Sequence, residues 1–353
     1  MDISRRDLLK MAGMAALGTA VGGGIHVAEA ATLTTRNIRL SRQAPVVGSK
    51  LVENPVGSAA KVYFMRTINT ENLIRLYQMI NGEIYGRVGI KLHTGEPHGP
   101  NILPRDMVQA FQAQVPNSNI VECNTLYNGA RYTTAGHRET LRTNGWTFCP
   151  VDIMDEDGDF VLPVRNGIHL QEVAMGQNMA YYDSMIVLTH FKGHAMGGFG
   201  GSLKNIAIGC ASGQVGKKQV HGYTGDEMPP PGPVWFDGTM PLKDEFMERM
   251  ADSGKATCDF FGKHIVFLNV MRRMSVDCDC AGTSAAEPTI GDIGICASTD
   301  ILAIDQACCD LVYNAYSNHD LVERIESRAG LHQLTAMANL KMGNPQYELV
   351  EVI

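Results

Sequence analysis

From Lys61 onward, short β-branched apolar runs alternate with amphipathic stretches of helical period. "KVYFMRT" (Lys61–Thr67), "RVGIKLH" (Arg87–His93) and "NIVECNT" (Asn119–Thr125) are apolar and β-prone, so each predicts a strand. A segment with helical spacing follows each one. These are "TENLIRLYQMI" with a threonine cap, "PRDMVQAFQAQV" with a proline in its first turn, and "TAGHRETLRTNG", stopped at Gly145. The order βαβαβα predicts a parallel sheet with helices packed on its faces.

The second half continues the pattern less regularly. "FVLPV" reads as a strand, the stretch after His169 as helix-like, and "SMIVLTH" (Ser184–His190) as a buried strand. A helix from Lys243 to about Phe261 leads into the strand "HIVFLNVM". "DIGICAS" and "DILAIDQACCDLVYNA" form a further strand–helix unit, and "YELVEVI" predicts a last strand. The proline-rich Asp226–Gly238 reads as a surface excursion. The expected fold is therefore α/β, a mainly parallel sheet with helices on both faces over residues 59–353. Lobes at 59–165 and 166–353 would flank a cleft.

The first residues belong to a different class. "SRRDLLK" (Ser4–Lys10), a weakly apolar Gly/Ala-rich stretch and the small-residue site Ala28-Glu29-Ala30 read as a twin-arginine signal over residues 1–30. Residues 31–58 then read as a polar linker, peripheral to the fold. The expected partner is the twin-arginine export machinery, and the expected location is periplasmic or otherwise extracytoplasmic. No stretch of the mature chain approaches eighteen apolar residues, so no transmembrane segment is expected.

Composition narrows the partners. A net charge of −7 and the lack of a dense Lys/Arg run argue against nucleic acid and anionic membrane surfaces. The nine cysteines include no C-x-x-C pair, so the usual zinc-ribbon, thioredoxin and ferredoxin spacings are absent.

In doubly wound sheets, ligands bind in the loops beyond the carboxyl ends of the strands. Polar clusters fall at such places: "HTGEPHG" with His93, "ECNT" with Glu122, "HFKGH" with His190 and His194, and "DCDC" with Cys278 and Cys280. In "LTHFKGHAMGGFGGSLKNIAIGCAS" (Leu188–Ser212), two histidines precede a dense glycine run, then Lys204. Neither the P-loop nor the dinucleotide signature fits this run. Its glycines, Gly197, Gly198, Gly200 and Gly201, predict backbone amides that hold an anion at the start of a short helix, with Lys204 and Asn205 beside it.

His190 and His194 are expected in a loop, facing one cavity as base or ligand; capping of turns is the plainer alternative. A Cys-x-Cys on a strand sends both sulfurs to one side, so Cys278 and Cys280, with a histidine or Cys210, predict a metal or iron–sulfur site. Glu96 and Glu122 are acid–base or ligand candidates, whereas Asp305 and Asp310 read as cap, turn or exposed-face residues.

The segments "IKLHTGEPHGPN", "VECNT", "VDIMDEDG", "LTHFKGHAMGGFGGSLKN", "SVDCDC" and "ASTDILAIDQACCDLVY" resemble the "domain of unknown function 362" family over nearly the whole chain from Lys61. Many members of that family are described as iron–sulfur centre proteins with an inserted ferredoxin-like cysteine run, which this sequence lacks. His194, the glycines to Gly201, Lys204 and "IGCAS" also resemble, distantly, the central motif of the lactate racemase family. That resemblance implies a nickel-pincer nucleotide attached to Lys204, with His221 in the position of a nickel ligand.

Three functions are consistent with these features. The first is a metal- or cofactor-dependent enzyme acting on a small anionic substrate, with His190, His194, Lys204 and Glu122 as catalytic candidates. The others are a non-catalytic metal or iron–sulfur redox protein and a small-anion binding protein.

Overall fold

The computed structural model describes residues 34–41, 58–225, 240–241 and 243–353. The signal reading of residues 1–30, most of the linker and the proline-rich excursion lie outside the described residues.

A nine-stranded sheet forms the centre, in the order β1-β13-β2-β12-β11-β8-β3-β4-β5. Its strands are β1 (Thr35–Ile38), β2 (Ala60–Met65), β3 (Val88–Lys91), β4 (Ser118–Glu122), β5 (Val151–Ile153), β8 (Ser184–His190), β11 (Ile265–Met271), β12 (Gly294–Ser298) and β13 (Tyr347–Val352). Two hairpins stand outside it: β6 (Asp159–Pro163) with β7 (Glu172–Gly176), and β9 (Lys192–His194) with β10 (Gly198–Gly200). The sheet is mainly parallel, and only β1 and β12 run against their neighbours.

Helices cover both faces, because the central strands are apolar on both sides. Side chains of β8 alternate: Ile186 and Leu188 join one apolar cluster, and Met185 and Val187 the other. The first cluster packs beneath α1 (Thr70–Ile80), α2 (Arg105–Ala113) and α3 (Thr134–Thr143). The second lies beneath α4 (Ser202–Gly209), α6 (Asp244–Phe261), α7 (Ile301–Asn314) and α9 (His332–Asn339). The short α5 (Gly216–His221) and α8 (His319–Ser327) complete the helices named here.

Most predicted elements form where expected, and four details differ. Asn69, not Thr70, caps α1: its side chain accepts the Asn72 amide at 2.8 Å. The stretch after His169 forms β7, because the hairpin partner β6 satisfies its backbone. The linker contributes an exposed edge strand, β1, paired with β13. The sheet also crosses the boundary of the two expected lobes, and Thr35–Ile353 forms one compact unit.

Antiparallel β12 matters for the site. A return into an antiparallel neighbour needs no helical crossover. The segment between β11 and β12, which carries Cys278 and Cys280, therefore stays at the carboxyl end of β11. The ends of β3, β4 and β8 lie at the same edge, since all four strands are parallel.

Candidate functional site

That edge holds a cavity of about 300 Å³. β3 ends in Lys91, with His93 just beyond it, and β4 ends in Glu122. The β9–β10 hairpin contributes Lys192, His194 and Gly200, and α4 contributes Lys204 and Asn205. Lys217 and His221 come from α5, Arg131 and Tyr127 from the loop before α3, and Cys280 from the β11–β12 connection. Ile208, Leu126 and Met196 supply apolar wall between these groups.

Glu122 is the carboxylate of the cavity lining, and its oxygens are already engaged. It pairs with Lys91 at 3.0 Å, Arg131 at 3.5 Å and His93 at 3.4 Å, and accepts the Thr94 amide at 3.0 Å. Burial would raise its pKa, but Lys91 and the other partners outweigh that and hold it well below the ordinary carboxylate range. Glu122 thus anchors cations and holds no proton to donate. Glu96 plays a similar part behind it, accepting from Arg131 at 2.8 Å and from the Tyr127 hydroxyl.

Cys278, Cys280 and His194 converge, each offering one donor atom within 4.8 Å of the others. The sulfurs meet, but not from a strand as predicted: Cys278 stands at the N-terminal boundary of a 3-10 turn (Asp279–Ser284). Asp279, between them, turns the other way. Its carboxylate accepts from His190 Nδ1 at 2.9 Å and from Lys192 at 3.0 Å, tying this loop to β8 and β9. His190 also meets the Arg272 carbonyl through Nε2 at 2.7 Å. His190 therefore braces the loop and does not line the cavity, contrary to expectation.

Burial raises the Cys278 pKa, but a hydrogen bond from Cys280 and the charges of Lys204, His93 and Lys192 carry it well below the ordinary thiol value. Lys204 Nζ lies 3.4 Å from its sulfur. The Lys204 pKa, pulled down by burial, is raised overall by the same sulfur. Burial, assisted by Lys204, pushes His194 down to about 3, and burial takes His221 down to about 4. Both rings are neutral near pH 7, with opposite proton positions. His194 Nδ1 accepts the Gly197 amide at 2.8 Å, which places its proton on Nε2. His221 Nδ1 donates to the Lys217 carbonyl at 2.7 Å, which leaves the lone pair on Nε2.

The glycine run does not build the expected amide cradle. The first amides of α4, Ser202 and Leu203, donate at 2.8 and 2.9 Å to the buried carboxylate of Asp305, which fills the helix start. Gly201 is glycine because a Cβ there would lie 2.5 Å from that carboxylate. Gly197 and Gly198 face the backbone or side chains of Gly330, Ile325 and Gln333, and Gly198 needs φ +74°. Only Gly200 and Gly201 of the four reach the cavity lining. What the glycines approach is the chain itself. A Cβ on Gly193 would fall 2.1 Å from the Val276 carbonyl oxygen, so its absence lets the hairpin press against the segment leading to Cys278. Lys204 and Asn205 still reach the cavity from α4, and Asn205 is fixed by bonds with Lys91 and Thr189.

Two other expectations fail on burial. Cys210, the C-cap residue of α4, is fully buried and is absent from both the donor group and the cavity lining. Asp305 and Asp310 are fully buried, against the exposed-face alternative, while Asp305 does act as a cap, at the start of α4. His221 lines the cavity without joining the donor group. Sequence reasoning missed Lys91, Lys192, Lys217, Arg131 and Tyr127 as cavity residues. All nine cysteines are free thiols.

The molecule is thus an α/β protein with a cationic strand-end cavity beside a His/Cys/Cys donor group. The family described as "Domain of unknown function (DUF362)" matches residues 88–310, and the chain belongs to it. No curated protein sequence matches significantly. Among solved structures, the lactate racemase apoprotein from Thermoanaerobacterium thermosaccharolyticum is similar at 11% identity and a TM-score of 0.42, covering 72% of this chain and 57% of that one. A Thermotoga maritima protein from a structural-genomics consortium is similar at 9% identity and 0.40, covering 76% and 59%. The chain thus spans less than two thirds of the length of either.

Proposed function

We propose that this protein is a metal- or cofactor-dependent enzyme that acts on a small anionic substrate inside the strand-end cavity. One observation carries the reading: cationic Lys91, Arg131, Lys192, Lys204 and Lys217 converge on one cavity that also receives Cys280 and His194. Buried cations are costly unless paired, and this set exceeds the carboxylate lining.

His194, Cys278 and Cys280 fit a soft or borderline ion such as zinc, because the Cys278 thiol is lowered toward the thiolate by its neighbours and the imidazole is neutral. Loading the ion requires His194 to exchange the Gly197 bond at Nδ1 or to move its proton. A bound ion would supply Lewis-acid polarisation of a substrate oxygen. Lys204 holds the substrate's anionic group, and His221 contributes a neutral ring to the same cavity lining. Glu122 keeps Lys91 and Arg131 in place.

A nickel-pincer nucleotide is the alternative finer form, in which Lys204 would be its attachment point instead of holding the substrate; Lys204, His194 and His221 sharing one cavity supports it. An iron–sulfur cluster finds less support, since only two cysteines converge among the described residues. Export by the twin-arginine route, supported by "SRRDLLK", belongs to the same proposal and is tested by fractionating cells that carry Arg5→Lys/Arg6→Lys. No helix among the described residues is long and apolar enough to cross a membrane.

The test is elemental analysis with mass spectrometry of small molecules released from anaerobically purified protein. The expected result is a stoichiometric metal or metal–organic group that Lys204→Ala or Cys280→Ser depletes while the melting temperature hardly moves. Wild-type protein free of both, with no affinity for small anions, would contradict the reading.

A further inference from the structure

We propose that the substrate carries two anionic groups, one received by Lys204 and the other by Lys217, a residue to which no role has been assigned. The inference rests on the proposed small-anion site and specifies its substrate class.

The cations of the cavity differ in how much donor capacity the protein consumes. Lys91 makes three bonds, to the Leu92 carbonyl at 2.9 Å, Glu122 at 3.0 Å and Asn205 Oδ1 at 3.1 Å, so its ammonium is saturated. Arg131 is taken up by Glu96, Glu122 and Tyr127. Lys192 is held by Asp279 and the His190 carbonyl. These three are structural counter-ions of the buried carboxylates.

Lys204 and Lys217 are different. Among the described residues Lys204 donates to the Cys278 sulfur alone, and Lys217 to the Ala211 carbonyl alone, at 2.8 Å. An ammonium has three donors, so each retains two. Lys217 is 4% exposed and forms no ion pair among the described residues. An ammonium that is both buried and unpaired favours the neutral form, and burial does lower the Lys217 pKa. An anionic group beside it would oppose that shift and use the remaining donors.

The two lysines enter from different helices, α4 and α5, and have different neighbours. Lys204 sits by Cys278 and Cys280, whereas Lys217 feels the Asp155 and Glu122 carboxylates, with which it makes no ion pair among the described residues. Apolar wall from Ile208, Leu126 and Met196 completes the lining, matching a short hydrocarbon spacer between two charged ends. The class indicated is a small aliphatic diacid, with carboxylate or phosphonate ends equally able to use ammonium donors.

The full chain at pH 7 is titrated calorimetrically with malonate, succinate, glutarate and 3-phosphonopropionate, and with acetate, propionate and butyrate. The best diacid is expected to bind at least tenfold tighter than any monoacid. Lys217→Met should erase that advantage while leaving monoacid affinity unchanged, and Lys217→Arg should retain most of it. Preference for 3-phosphonopropionate over succinate would assign one end to a phosphoryl group. Equal affinity of the wild type for diacids and monoacids overturns the inference alone, as does a diacid advantage that survives in Lys217→Met. Binding of none of these acids overturns both the inference and the small-anion reading beneath it. The wild-type comparison decides the matter even if Lys217→Met does not fold.

Discussion

Asp305 is a carboxylate buried in an apolar layer, yet it accepts two helix-start amides and the Asn269 amide. Burial nonetheless dominates and lifts its pKa from 3.8 to about 6. The folded state therefore binds a proton that the unfolded chain has released between these values. Stability from this group is highest below the unfolded pKa and falls as pH rises through about 6. A shift of this size corresponds to roughly 3 kcal/mol. Asp305→Asn keeps an acceptor at the helix start and removes the titration. Denaturant unfolding should show wild-type stability falling relative to Asp305→Asn between pH 4 and pH 7; parallel profiles would refute the assignment. A sequence cannot reveal this role, because Asp305 caps a helix about a hundred residues away from it in the chain.

At the scale of elements, the β9–β10 hairpin shows how glycines build the site without touching a ligand. Gly193→Ala would force a Cβ onto the Val276 carbonyl, whereas a Cβ on Gly200 would meet only Lys204 Cδ at 3.6 Å. Thermal denaturation should show Gly193→Ala destabilised by about 2–4 kcal/mol and Gly200→Ala nearly unchanged. The reverse order would return the glycine run to a ligand-binding role. Helices and buried strands were legible because their periodicity is local. The direction of β12 was not, since it follows from pairing with β2 and β11. β7 misled for the same reason: five residues carry too little periodicity to distinguish a strand from a helical turn.

At the scale of the whole molecule, the rule that ligands gather at the carboxyl edge of parallel strands placed His93, Glu122, His194, Lys204 and Cys280 together correctly. It failed for His190, whose side chain is held by Asp279 and the Arg272 carbonyl. The lysines were missed because a lysine in a strand or short helix ordinarily reads as solvated. Lys91 closes an otherwise apolar, fully buried strand, and that conflict was the available signal. Lys217, in "GKKQVH", gave none. The proposed function requires the donor group beside these cations to be a functional centre. Anomalous X-ray diffraction from crystals of the metal-loaded full chain, collected at the absorption edge of the metal, tests it most directly. A single strong peak within bonding distance of the Cys278 and Cys280 sulfurs, lost in the Cys278→Ser/Cys280→Ser variant, is the predicted result. A loaded crystal whose only peaks lie outside the cavity would contradict it.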